Sequence, residues 1–119
     1  MVLVKVDLMS SLSIGEVARR SGKAASAIRY YESIGLLPPA QRASGRRLFP
    51  AETVRTLHVI DIARSAGLTL EEIKSLLAGG EPLRAIAARR LAELDAQRMW
   101  LVHAADCTCV ELDDCALFA

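Results

Sequence analysis

Residues 14–39 read IGEVARRSGKAASAIRYYESIGLLPP, and the reading of this stretch decides the fold. Ser13 and Glu16 stand at capping-box spacing, Ile14, Val17 and Ala18 share one helical face, and Gly22 ends the segment. A second helix follows at once, running to about Ser33, and Gly35 with Pro38-Pro39 closes it. Two short helices joined by a tight glycine-containing turn, the second carrying Arg29 and the pair Tyr30-Tyr31, predict a helix-turn-helix.

Working outward, AQRASGRRLFP (residues 40–50) predicts a hairpin: Ser44-Gly45 is the turn and Leu48-Phe49 suit a strand. Arg42, Arg46 and Arg47 crowd its tip, which makes it a basic wing suited to gripping phosphates beside a groove. A third helix is predicted after Pro50, with Val54, Leu57, Ile60 (or Ile62) and Ala63 inward and Gly67 as the stop. Thr69 and Glu72 repeat the capping box, and Leu70, Ile73, Leu76 and Leu77 run on to the Gly79-Gly80 break. The last helix starts near Pro82. Its Ala87, Leu91, Leu94, Arg98, Leu101 and Ala105 alternate steps of four and three, the seam of a coiled coil with Arg98 as the misfit. About 24 residues give roughly 36 Å of helix. Such an amphipathic helix needs a partner surface, and a second copy of the chain is the simplest one.

At 119 residues the chain has room for one small domain, or a small domain with an arm. Hydrophobic residues make up 52% and aromatic residues only 4%, a helical balance in which a dimer helps complete the core. The net charge of +1 hides a division. Ser13 to Ser65 holds nine Lys/Arg against four Asp/Glu, and Ala66 onward holds five against nine. A basic half joined to an acidic one suggests a nucleic-acid-binding module attached to something else, although a basic face can also be plain solvated surface. No apolar run reaches the roughly 20 residues of a membrane span. The opening MVLVKVDLMSS makes a poor signal peptide; it reads as a short strand or a loose extension, and Met9 serves equally well as a start. The expected compartment is the cytoplasm, where thiols stay reduced and clustered cysteines bind metal or sense redox state.

The helix pair, wing and terminal coiled coil, with IGEVARRSG, AIRYYESIGLLPP, GRRLF and ARSAGLTLEEI in order, resemble the MerR family of dimeric transcription regulators over about residues 13 to 105. The resemblance implies a mainly α fold: a winged helix-turn-helix DNA-binding domain, a dimerisation coiled-coil helix, and a C-terminal cysteine loop. The corresponding spans are an extension (1–12), the DNA-binding domain (13–80), the dimer helix (81–106) and a sensor loop (107–119). It further implies an antiparallel coiled-coil homodimer that activates a promoter for RNA polymerase by bending and untwisting over-long spacer DNA. Ser26, Arg29, Tyr30 and Tyr31 on or near the recognition helix and Arg42, Arg46 and Arg47 in the wing are the expected DNA contacts. Much of the specificity would come from the deformability of the spacer. The family usually carries an aromatic where this chain has Arg46, so that contact becomes ionic. One of the two tyrosines is expected to be at least half buried.

All three cysteines, Cys107, Cys109 and Cys115, fall within the last fourteen residues. The Cys107-to-Cys115 spacing resembles the thiolate loop of the metal-sensing branch, suited to Cu(I), Zn(II) or Hg(II). CTCVELDDCAL also resembles the last three ligands of the C-x2-C-x-C-x5-C pattern that holds a [2Fe–2S] cluster in SoxR-like redox sensors. The fourth iron ligand would fall at Ala104, leaving His103, Asp106 or a partner's group as the donor. Metal sensors normally add a Cys or Ser at the start of the partner's helix, whereas AGGEPL here offers only Glu81. The helix is also about two turns shorter than in either branch. Three thiolates with Asp106, Asp113, Asp114 or His103 suit tetrahedral zinc or a trigonal soft ion. A disulfide switch among the three, or a degenerate site, is open as well. His58 and His103 read as packed histidines, and Trp100 as a packing anchor between protomers.

No catalytic triad, carboxylate pair or phosphate-cradling loop is present, so an enzyme is not expected. A small metal carrier would use the cysteines but has no use for an arginine-rich wing. A DNA-binding adaptor that senses nothing would be indifferent to cysteine replacement.

Overall fold

The structure, a computed structural model, describes residues 11–119. The extension predicted over 1–12 lies outside this range except for its last two residues, which form part of a strand. Strand β1 (Ser11–Ser13) leads into α1 (Ile14–Ser21) and α2 (Ala25–Ser33). The wing strands β2 (Gln41–Ala43) and β3 (Arg46–Pro50) follow, then α3 (Thr53–Ser65), α4 (Leu70–Leu77) and α5 (Leu83–Ala105). Two short 3₁₀ turns, Leu112–Asp114 and Ala116–Phe118, end the chain. It divides into two compact units between Gly80 and Glu81.

In the first unit the sheet order is β1-β3-β2, antiparallel throughout. Two residues with positive φ, Ser44 (53°) and Gly45 (76°), make the tight β2–β3 turn that matches strand twist. The β1 pairing Leu12↔Phe49 was not legible in the sequence; it uses the other edge of β3 and ties the start of α1 to the wing. Ser13 ends that strand and caps α1, its hydroxyl accepting from the Glu16 N–H at 3.2 Å. The Glu16 carboxylate turns instead to Arg19 (2.5 Å) and Arg20 (3.6 Å). On α4 the box is complete: Thr69 N–H donates to Glu72 Oε1 at 2.9 Å and Glu72 N–H to Thr69 Oγ1 at 3.1 Å.

Val17, Ile28, Tyr31, Leu36, Leu37, Phe49, Leu57, Ile60, Ala63 and Ile73 form one core from every element of this unit but β1 and β2. Each full burial of such a side chain contributes about 1.5–3 kcal/mol. The α3 stripe resolves onto Ile60, and Ile62 faces solvent. Thr53 is wholly buried with its Oγ1 unpartnered among the described residues. His58 is exposed because it follows Leu57, about 100° round the helix from the buried stripe.

The second unit is built differently. From Leu91 to Leu101 every residue of α5 is exposed, including the seam positions Leu91 (61%), Leu94 (49%) and Leu101 (60%). Leu94, Arg98, Leu101, Val102 and Ala105 line one shallow apolar groove along the helix. Near the start of the helix, Arg89 grips both oxygens of the Glu81 carboxylate. His103 is exposed, contrary to the packed reading, since α5 buries no face around it.

Candidate nucleic-acid interface and thiol site

The first candidate site lies on α2 and the wing. Ala24 precedes α2 without a side-chain cap, so small residues stand at its N-terminus. Lys23 reaches Asp61 at 2.5 Å and pins the α1–α2 turn to α3. Ser26, Arg29 and Tyr30 are exposed along α2, and Arg42, Arg46 and Arg47 are exposed on the wing. Tyr30 is 52% exposed and Tyr31 only 7%, which separates the pair. Tyr31 is a core residue and leaves the outward-facing set; its hydroxyl accepts from Arg64 Nη1 at 3.4 Å. Arg47 meets Glu32 at 3.4 Å, an ion pair that couples the wing to α2. The sequence reading had no signal for Glu32 in that part, because the pairing is fixed by how the wing folds back. Gly35, with φ of 82°, turns the chain after α2 where a Cβ would stand 3.2 Å from the Lys74 side chain.

The second site is the thiol cluster. The Cys107 N–H donates to the Ala104 carbonyl at 3.1 Å as α5 ends. The chain then loops through exposed residues and returns, so that Cys107 Sγ and Cys115 Sγ lie 3.6 Å apart. All three sulfurs fall within 4.8 Å of one another. Cys115 is buried, whereas Cys107 and Cys109 face solvent. A hollow around the sulfurs is lined by Trp100, Ala104, Val110, Leu112, Leu117 and Phe118. Trp100 packs edge-on against Phe118 of its own chain, with ring centroids 5.6 Å apart at 72°. Leu117 is the leucine that ends the CTCVELDDCAL pattern, whereas Phe118 carries no spacing signal in the sequence.

The hydrogen bonds within the cluster move the Cys107 and Cys109 thiols in opposite directions. The Cys109 N–H, 3.5 Å from Cys107 Sγ, together with the neighbouring thiols, lowers the Cys107 pKa below the ordinary thiol value. Cys109 is pushed up to about 11, chiefly by its hydrogen bonds to Cys107 and Cys115. Cys107 therefore becomes a thiolate before Cys109, whose proton leaves with difficulty unless a cation takes its place.

Three thiolates fit a soft or borderline ion. With metal–sulfur distances of about 2.3 Å, tetrahedral ligation puts sulfurs about 3.8 Å apart, near the Cys107–Cys115 separation. A four-thiolate cluster fits less well, since the position a fourth cysteine would take is Ala104, on the wall of the hollow. Among the described residues no histidine or carboxylate joins the three sulfurs at that range.

A helix pair flanked by a basic three-stranded wing, followed by a long helix, defines a winged helix-turn-helix protein. The comparisons agree: residues 12–80 match the MerR HTH family of regulatory proteins. The HTH-type transcriptional regulator HmrR of Sinorhizobium medicae is 40% identical over 92 residues, covering 71% of this chain and 63% of that protein. A SoxR homolog of Chromobacterium violaceum, an HTH-type transcriptional activator, is 27% identical over 92% of this chain and 84% of its own length. Among solved structures, PbrR691 from Ralstonia metallidurans CH34 in complex with lead(II) is similar with a TM-score of 0.55 at 25% identity, covering 90% of this chain and 96% of that one. The chain thus belongs to the MerR family, and it spans about 63% of the length of HmrR.

Proposed function

We propose that the protein is a homodimeric, metal-responsive transcription regulator of the cytoplasm. It binds promoter DNA through α2 and the wing and reads a soft or borderline metal ion at Cys107, Cys109 and Cys115. The convergence of three sulfurs within 4.8 Å carries the metal reading. The names of relatives support it, HmrR's companions including heavy metal-dependent transcription regulators of Rhizobium meliloti. Ser26, Arg29 and Tyr30 would face the major groove, while Arg42, Arg46 and Arg47 would neutralise phosphates and fix the register. The open leucines of α5 support a helix-to-helix dimer, as they leave an apolar seam exposed in the single chain. Promoter activation by distortion of the spacer, with RNA polymerase at the promoter, follows from the family's general mechanism.

When bound, the ion would supply a cross-link between the end of α5 and the C-terminal turns. The chain's own part is to offer Cys107 as a ready thiolate and to yield the Cys109 proton on binding, so uptake releases protons and strengthens as pH rises. A second reading, a [2Fe–2S] redox sensor, is favoured by the Cys107-x-Cys109-x5-Cys115 spacing and by the SoxR homolog, whose match takes in most of this chain.

Elemental analysis and a visible spectrum of protein purified without oxygen, beside Cys107→Ser, separate the readings. Colourless protein holding about one zinc, copper or mercury per protomer, lost in the variant, is the expected result. An iron pair with visible bands would replace the metal reading by the redox one. Neither iron nor metal would end both.

A further inference from the structure

We propose that the Trp100–Phe118 ring pair is a latch that holds Cys115 against Cys107, making both aromatics positioning residues of the thiol site. The functional meaning of the latch rests on the metal reading above; its geometry does not. The loop between the outer cysteines cannot hold itself. Thr108 to Asp114 are all exposed, Val110 is 97% open, and the loop's own order is a single 3₁₀ turn with Cys115 N–H donating to the Leu112 carbonyl at 3.1 Å. Closing such a loop costs entropy that an exposed surface does not return.

The flanks supply a contact that the loop lacks, an edge-on pair of partly exposed rings, Trp100 at 42% and Phe118 at 61%. Trp100 lies in the last turns of α5, which ends at Ala105, two residues before Cys107. Phe118 lies three residues after Cys115 on the last 3₁₀ turn, its N–H donating to the Cys115 carbonyl at 3.1 Å. When the rings meet edge-on at 5.6 Å, the two ends of the loop are drawn together and Cys115 is buried. The rings thereby act on the sulfurs through the backbone, as outer-shell partners act on ligands in other metal sites.

The test uses the full chain. In a Cys109→Ser background, equilibrium with oxidised and reduced glutathione measures how readily Cys107 and Cys115 meet. Two protein thiols give up their protons and electrons to form one S–S bond, and one glutathione disulfide becomes two glutathione thiols. Phe118→Ala is expected to lower this effective concentration by a few-fold to about ten-fold, the worth of one aromatic pair, with Phe118→Tyr close to the parent. With all three cysteines present, Phe118→Ala is also expected to weaken Zn(II) binding about ten-fold in a chelator competition. Emission from Trp100, the sole tryptophan, checks that the rings have parted, and helical circular dichroism checks that α5 is intact. An unchanged glutathione equilibrium in Phe118→Ala overturns the latch, whatever happens to zinc. A protein that takes up no zinc but shows the drop keeps the latch and loses the metal reading.

Discussion

The two units of this small protein solve the burial problem in opposite ways. Residues 11–80 close a ten-member core around Phe49, Leu57 and Ile60, and every helix there contributes to it. In residues 81–119 the long helix keeps its seam leucines in solvent, and the buried thiol Cys115 sits in a small hollow closed by the C-terminal turns, beside the Trp100–Phe118 ring pair. The first unit is self-sufficient, as a domain that must present a fixed surface has to be. The second leaves an apolar seam and three clustered thiols open, which under the proposed function another helix and a cation would cover.

The sharpest way to break that contrast is to truncate one apolar side chain in each unit. Phe49→Ala is expected to cost roughly 3–5 kcal/mol in denaturant unfolding, at any protein concentration. Leu94→Ala should change stability only through association, so its effect should fade on dilution below the dimer dissociation constant. A concentration-independent loss at Leu94 would mean the helix is already buried within one chain.

A smaller effect is expected at the basic surface of the first unit. Arg42→Ala should weaken duplex binding and flatten the plot of log affinity against log salt by about one. An unchanged slope would remove the wing from the phosphate contacts. The gentlest probe titrates the second unit. In reduced, metal-free protein, Cys107 should alkylate at lower pH than an ordinary thiol, its lowered pKa giving more thiolate there. Cys109, raised to about 11, should reach half its limiting rate only near that pH. Equal rates at Cys107 and Cys109 across the range would show that the thiols do not share protons and are not held together.

Much of the first unit could be read from the sequence because its signals are local. Capping at Thr69-Glu72, the Ser44-Gly45 turn and the glycine stops each act within a few residues. The arginines of the wing tip follow from that turn. The burial of Tyr31 rather than Tyr30 could not be read, since adjacent helical residues differ by about 100° and only the packed neighbours decide which turns inward. The same holds for Ile60 over Ile62 and for the solvent-facing His58.

At the thiol site the sequence determined the donors and their family resemblance, because cysteine chemistry and spacing are written in the chain. The sulfur separations, the partner of Trp100 and the exposure of His103 were decided by tertiary structure alone. Trp100, expected between protomers, meets Phe118 in its own chain, eighteen residues on. The strand β1 is the same lesson in the first unit: three short residues become a strand only because β3 has a free edge to receive them. Local rules determine where a chain turns and caps; contacts between distant residues exist only once those turns have brought them within reach.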